Sequence, residues 1–310
     1  MIALFLGAGF SKWASRLPIA SQLFDFKIFS TSKSDQRKLN LIQNDFKKWR
    51  ADHPKSNIEE FISWCICKSS YRKSRVIWYI SRRLSEPFMT KIQGSFSPLM
   101  FDEQAAKIHA GVIKAKKFLD IFKDRKLSGI LSCNYDTLVE CALGTTGFNY
   151  GKINEKLYGR GHNPSFPWQF SHCAATGNIM LAKLHGSLSW DNEKKHTSGK
   201  PGRSGNALII APTPEKKPPK ELIDVWKTGE RILKKTFYMV IFGFAFNPYD
   251  KALLDYLKKF GKKTTELLII DPYPNNTAAE HIWPNANIVS INPVSGVYPG
   301  LKSWLDSLPQ

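Results

Sequence analysis

The side chains with the plainest capacity for chemistry are Asn134, Asp136 and His185. Each follows a short apolar run. Gly129-Ile-Leu-Ser-Cys133 leads into Asn134-Tyr135-Asp136, and Ile179 to Leu184 leads into His185-Gly186-Ser187. An asparagine amide donates and accepts at once, so Asn134 can hold a sugar hydroxyl or fix a water. His185 is the natural general base at neutral pH. A lone histidine is more often structural, but one at a strand end and followed by glycine points to function. Asp136 reads two ways. It can orient a partner or bind a ribose, or it can cap the helix opened by Thr137-Leu-Val-Glu140. In the second reading Asp136 or Thr137 is the N-cap and Glu140 holds the capping-box position.

A second constellation stands at the start of the chain. Ile2 to Leu6 is an almost unbroken apolar run, as in a parallel strand buried on both faces. Gly7, Ala8, Gly9, Phe10 and Ser11 follow it. Two glycines let backbone approach a bound group closely, and the helix expected after them aims unpaired N–H groups at it, which suits a pyrophosphate. Lys12 occupies the third glycine position of G-x-G-x-x-G, so the fingerprint is incomplete. Alone, the turn is divided between a dinucleotide site and a tight strand-to-helix connection with no ligand.

The elements that must position these residues follow from periodicity. Arg16-Leu17-Pro18 reads as a loop, with a short helix from Gln22 to Phe26. From about 36 to 126 the apolar spacing is helical throughout: Leu39, Ile42, Phe46 and Trp49, then Ile58, Phe61, Ile62 and Cys65, then Val76, Ile77, Ile80 and Leu84, then Ile108, Val112, Phe118, Ile121 and Phe122. This predicts an all-helical insertion between the first two strands of a sheet. Inside it, Arg72, Lys73, Arg75, Arg82 and Arg83 lie beside Tyr71, Trp78 and Tyr79. Such a helix can grip a phosphate backbone, or be a solvated helix whose aromatics belong to the core. Tyr150 to Phe170 predicts a long ordered loop or lid, and Asp191 to Gly205 a polar mobile one. Ala207 to Ile210 is a short strand. Phe237 to Phe242 is a buried strand ending at Gly243-Phe244, Leu267 to Ile270 ends at Asp271-Pro272, and Ile288 to Ile291 closes the sheet. The expectation is one α/β domain over 1–310, Rossmann-like, with a parallel sheet, helices on both faces and the insertion at 36–126. In such sheets ligands lie at the carboxyl ends of the strands. Gly7, Asn134, His185, Gly243 and Asp271 all fall there.

Bulk properties narrow the class. At 310 residues and 42% hydrophobic, the chain can bury a sizeable core. Its formal net charge of +19 favours a polyanionic contact such as nucleic acid, an acidic partner or a phosphorylated ligand. The five cysteines include no C-x-x-C, which excludes a zinc ribbon and a disulfide framework and implies a reducing cytoplasm. The apolar start has no basic n-region, and no run approaches the roughly 18 residues of a membrane helix.

Taken together, the motifs resemble the sirtuins, and more closely the bacterial sirtuin-like domains of anti-phage defence. Gly7-Ala-Gly-Phe-Ser11 with Pro18 downstream looks like their Gly-Ala-Gly-x-Ser opening and proline. Cys133-Asn-Tyr-Asp136 is similar to their Asn-x-Asp element, Leu184-His-Gly186 to their His-Gly, and Phe242-Gly-Phe-Ala-Phe246 to their late glycine loop. The order holds from residue 2 to about 272. The departures are the two Cys-x-x-Cys zinc pairs of the deacylases, the arginine after their proline, and the helical block, which has no deacylase counterpart.

The resemblance implies NAD as substrate and no metal. Its pyrophosphate would lie on Gly7, Ala8, Gly9, Phe10 and Ser11, with Pro18, Gly243, Phe244 and Asp271 also binding the nucleotide. Asn134, His185 and Asp136 would be catalytic, with water attacking C1′ directly because no nucleophilic carboxylate is evident. Hydrolysis of NAD to nicotinamide and ADP-ribose is the activity implied, switched on by a partner such as an Argonaute-like protein or a ring ATPase, or by self-assembly. Two other readings stay open. One is an NAD-dependent protein deacylase; the other is a non-catalytic nucleotide-sensing or nucleic-acid-binding module using the basic helical block.

Overall fold

Ile2–Leu6 is buried at every position, as a strand covered on both faces must be. It forms the centre of the sheet in a computed structural model that describes residues 1–26, 32–85, 89–92, 95–98, 110–144, 146–151, 177–191, 207–213 and 217–309. In chain order the strands are β1 (Ile2–Leu6), β2 (Met89–Ile92), β3 (Ser95–Pro98), β4 (Leu127–Ser132), β5 (Phe148–Asn149), β6 (Ile179–Lys183), β7 (Gly186–Asp191), β8 (Ala207–Ile209), β9 (Tyr238–Phe242), β10 (Glu266–Ile270) and β11 (Asn287–Ile291). The α-helices are α1 (Ala8–Ser15), α2 (Lys33–Asp52), α3 (Ile58–Lys68), α4 (Ser70–Ser85), α5 (Ala110–Asp120), α6 (Leu138–Leu143), α7 (Ile223–Leu233), α8 (Lys251–Phe260), α9 (Asn276–Ile282) and α10 (Tyr298–Ser307).

Seven strands make the main sheet in the order β11-β10-β9-β1-β4-β6-β5, and every pairing in it is parallel. From β1 the chain steps outward through β4 to the edge strand β5, comes back one place to β6, then crosses to the other side of β1 and steps outward again through β9, β10 and β11. The direction of winding therefore reverses between β1 and β9. In open α/β sheets that reversal opens a crevice at the carboxyl ends of the strands. Helices pack around the sheet, α7 against β4 and β6, and α1 against α5. Phe10 of α1, Phe118 of α5 and Phe242 of β9 meet with ring centroids 5.3–5.5 Å apart. Each such aromatic pair adds about 0.5–1.5 kcal/mol beyond area burial. The cluster fixes α1, and with it the turn that precedes it.

The block between β1 and β4 contains no strand of the main sheet among the described residues. It is not wholly helical, however: β2 and β3 form a separate antiparallel pair inside it. The first helix of the block also starts earlier than the apolar spacing indicates. Ser32 accepts the Asp35 amide at 3.0 Å and opens α2 at Lys33, because a cap rather than the first apolar residue sets a helix start. The helix expected over Gln22 to Phe26 is instead a 3-10 turn at Ala20–Gln22.

Two further departures lie near the carboxyl ends. Ala207–Ile209 pairs antiparallel with β7, outside the main sheet. The edge position goes to the two-residue strand β5, too short to show a period. Residues 152–176 and 192–206, which hold most of the expected lid and polar loop, lie outside the described residues.

Candidate functional site

The residue following each of β1, β4, β6, β9 and β10 continues the ladder by one bond. The amides of Gly7, Cys133, Leu184, Gly243 and Asp271 donate to Phe242, Leu6, Ser132, Ile270 and Ile291 respectively, at 2.8–3.1 Å. Gly7, Leu184-His185, Cys133-Asn134, Gly243 and Asp271 thus leave the sheet along one rim.

At the reversal point two turns interlock. The Gly9 amide donates to the Gly243 carbonyl at 2.9 Å. A Cβ on Gly7 would stand 2.3 Å from the Gly243 oxygen, and one on Gly9 2.5 Å from the Gly243 Cα. Gly243 itself has φ +66°, and its Cβ would meet the Phe10 nitrogen at 2.3 Å. The glycines admit one another's backbone, so the tight-turn reading of Gly7 and Gly9 holds whether or not a ligand also uses the turn. Ala8 is the exposed residue of this turn, at the first position of α1. Phe10 is buried in the aromatic cluster, and Ser11 is buried beneath the turn.

Asn134 is buried, and its Nδ2 donates to the Gly7 carbonyl and to Ser11 Oγ, both at 2.9 Å. It ties the end of β4 to the glycine turn. Pro18 is half-buried after Arg16, which holds a left-handed φ of 57°. Phe244 packs edge-on against Phe5 at 4.8 Å. Asp271 is half-buried and accepts the Tyr273 amide at 2.9 Å. It stands at the end of β10, with β9 between it and the glycine turn.

Asp136 acts as a local cap, its Oδ1 accepting the Leu138 amide at 3.0 Å. Glu140 departs from the capping-box expectation. It is fully buried, accepting from Lys183 Nζ at 2.8 Å and from the Tyr150 hydroxyl at 3.0 Å. Lys183 Nζ also donates to the Asp136 carbonyl. Burial raises the Glu140 carboxyl above its ordinary range, and the Lys183 charge opposes that rise. Lys183 and Tyr150 hold the carboxylate inside, whereas a capping box requires it to turn back toward the N-cap.

His185 is buried in the turn between β6 and β7, where its carbonyl accepts the Ile210 amide at 2.8 Å. Its Nε2 lies 3.5 Å from Asp250 Oδ1, with Asp250 equally buried. Tyr135 lies beside it, ring centroids 6.3 Å apart, and donates its hydroxyl to the Ile210 carbonyl at 2.6 Å. Burial pushes the Tyr135 hydroxyl well above its ordinary range, and the charges of Asp250, Cys133 and Glu59 add to that. Asp250 closes a 3-10 turn, Pro248–Asp250, capped by Asn247. The structure therefore gathers Asn134, Gly7 and Ser11 into one group and His185, Asp250 and Tyr135 into another, on the adjacent strands β4 and β6 and the loop after β9. Asp250 was not among the residues singled out by sequence, although an acidic residue at a helix start just past Gly243-Phe244 was the available signal. Among the described residues, no group of three or more His, Cys, Asp and Glu could hold a metal ion. None of the described helices is long and apolar enough to cross a membrane.

No protein-family profile matches the chain, and no curated protein matches it. Solved structures of Sir2 enzymes align along most of it. One, solved to explain the mechanism and regulation of these enzymes, is 13% identical with a TM-score of 0.44, covering 99% of this chain and 93% of its own. Another, a mutant Sir2 homologue in complex with 2′-O-acetyl ADP-ribose, is 12% identical with a TM-score of 0.37, covering 94% and 85%. Neither likeness assigns a role to any residue here.

Proposed function

We propose that the chain hydrolyses NAD at its nicotinamide N-glycosidic bond, releasing nicotinamide and ADP-ribose. The observation that carries this reading is the position of Asn134 and His185. Both lie past the ends of the adjacent strands β4 and β6, and Asn134 is bonded to the glycine turn where the winding reverses and open α/β sheets take dinucleotides. The pyrophosphate would approach the exposed first turn of α1 at Ala8, where the helix end favours negative charge. Pro18, Gly243, Phe244 and Asp271 would border the nucleotide.

Breaking the C1′–N bond develops oxocarbenium character at the ribose. With Nδ2 of Asn134 engaged by Gly7 and Ser11, its Oδ1 is the atom to accept from a ribose hydroxyl or from the attacking water. His185 takes a proton from that water as the C1′–O bond forms. Nicotinamide leaves with the electron pair of the broken bond, and the proton passes from His185 to solvent. A carboxylate does stand in this site, Asp250, but beside the imidazole, so water attack remains the route proposed. Activation by a partner (an Argonaute-like protein or a ring ATPase) or by self-assembly, in anti-phage defence, extends the same reading.

The test is nicotinamide release from NAD, measured chromatographically with and without nucleic acid. His185→Ala should lower the rate about 10²–10⁴-fold with the melting temperature retained, and Asn134→Ala should remove most of the activity. Release only in the presence of an acyl-lysine peptide would move the reading to a deacylase. NAD binding without cleavage under every condition would move it to a nucleotide-sensing module.

A further inference from the structure

We propose that Asp250 is a positioning residue for His185, held in place by the helical insertion. The proposal rests on the reading of His185 as the base. The two side chains come from opposite sides of β1: His185 follows β6, and Asp250 follows β9. In the strand order β9-β1-β4-β6 these origins are three strand spacings apart, roughly 14 Å. They nonetheless meet at 3.5 Å, both buried. At 3.5 Å this is an ion-pair contact, and a carboxylate that closes from there onto one imidazole nitrogen would fix the ring's tautomer and direction, leaving the other nitrogen to work on a substrate proton.

The loop bearing Asp250 is itself gripped from the insertion. Asn247 Nδ2 donates to Glu59 Oε1 at 3.4 Å, and Asn57 Nδ2 donates to the Tyr249 hydroxyl at 3.2 Å. Asn57 is the N-cap of α3, and Glu59 is buried in its first turn. The insertion thus reaches the imidazole through two contacts, Glu59 to Asn247 and Asp250 to His185. The titratable groups that face the ring are Asp250 from the 3-10 turn and Tyr135 from the turn after β4, and Cys133 and Glu59 of α3 stand close enough to act on the Tyr135 hydroxyl.

The experiment follows the imidazole of His185 by NMR in histidine-labelled protein, with His185→Gln assigning the signal, and pairs it with the pH profile of NAD cleavage. Asp250→Asn removes a neighbouring negative charge, so the His185 midpoint should fall by about one unit or more. The acid limb of kcat should move to lower pH with it. kcat should drop about 10–100-fold, the usual effect of losing an orienting partner, with KM for NAD little changed. Asp250→Glu should recover part of the loss. Asn247→Ala leaves every charge in place and loosens the Asp250 turn. It should lower kcat more modestly and add nothing to Asp250→Asn. An unchanged His185 midpoint in folded Asp250→Asn overturns the proposal. Should that variant fail to fold, an Asn247→Ala enzyme with wild-type kcat and His185 signal overturns it instead. The titration needs no turnover. A shifted midpoint in a protein that never releases nicotinamide leaves the pair standing and sinks only the hydrolase reading.

Discussion

Lys183 stands two residues before His185, yet its ammonium serves a different purpose. Both it and Glu140 are almost wholly withdrawn from water, and their 2.8 Å contact, with the bonds to Tyr150 and the Asp136 carbonyl, compensates two desolvated charges. Lys183→Met strands the carboxylate, so unfolding free energy should drop by about 3–5 kcal/mol in urea titrations. A loss under 1 kcal/mol would mean that Glu140 is neutral in the native state. The pH sign follows from the direction of the Glu140 shift. Its folded pKa is raised, so its contribution is present below the ordinary glutamate value of 4.5 and is lost as pH climbs through the raised folded value. Glu140→Gln, which cannot titrate, should remove that decline from the melting temperature profile above pH 4.5. A variant profile parallel to the wild type would refute the assignment. The thiols separate in the same manner. Burial pushes Cys65 up to about 12 and Cys141 higher still, whereas Cys67 is exposed. In native protein at pH 8, iodoacetamide should modify Cys67 and spare the other two, as peptide mass mapping would read.

At the scale of elements, the two glycine turns act as one joint between β1, α1 and β9. Gly243→Ala combines a left-handed φ with a Cβ 2.3 Å from the Phe10 nitrogen, and every atom it meets is backbone. Overpacking of this kind costs about 1–3 kcal/mol, and more where nothing can yield. A clear drop in melting temperature is expected, together with weaker NAD binding by calorimetry, since the displaced turn is the proposed pyrophosphate seat. Wild-type stability in that variant would show that the turns part easily. This joint was half legible. The apolar run Ile2 to Leu6 and the glycines after it read directly as strand and turn, because burial on both faces leaves a continuous apolar signature. That each glycine makes room for the other turn was not legible, since the partner lies over 230 positions away in sequence. Asp250 was hidden for a related reason: at a helix start an acidic residue reads as a cap, and only the folding of the β9 loop over the sheet brings it to His185.

For the whole molecule the question is where the net charge of +19 acts. Sequence singled out Arg72, Lys73, Arg75, Arg82 and Arg83 as a stripe able to grip a polyanion. In the structure Arg72 and Arg75 both pair with Asp45, Arg83 pairs with Asp25 at 2.8 Å, and Arg82 is buried. Trp78 and Tyr79 belong to the core between α2 and α4, and Lys73 is exposed. Those acids sit 27 to 58 positions from their arginines, a distance no local pattern reports. The helix therefore braces the insertion, and a diffuse positive field would remain for a polyanion to sense. Arg75→Ala should lower the melting temperature by a few degrees, because the pair with Asp45 at 2.8 Å is largely shielded and leaves that carboxylate with Arg72 alone. The salt dependence of heparin or duplex DNA binding should barely move. A residue that touches a phosphate reduces the slope of log K against log salt by about one when removed. Arg72→Ala and Arg75→Ala together should leave that slope within experimental error, whatever the absolute affinity. A slope smaller by about two, in a protein of unchanged melting temperature, would restore the helix as a phosphate-binding surface and would mean that Asp45 holds these arginines only until a stronger anion arrives.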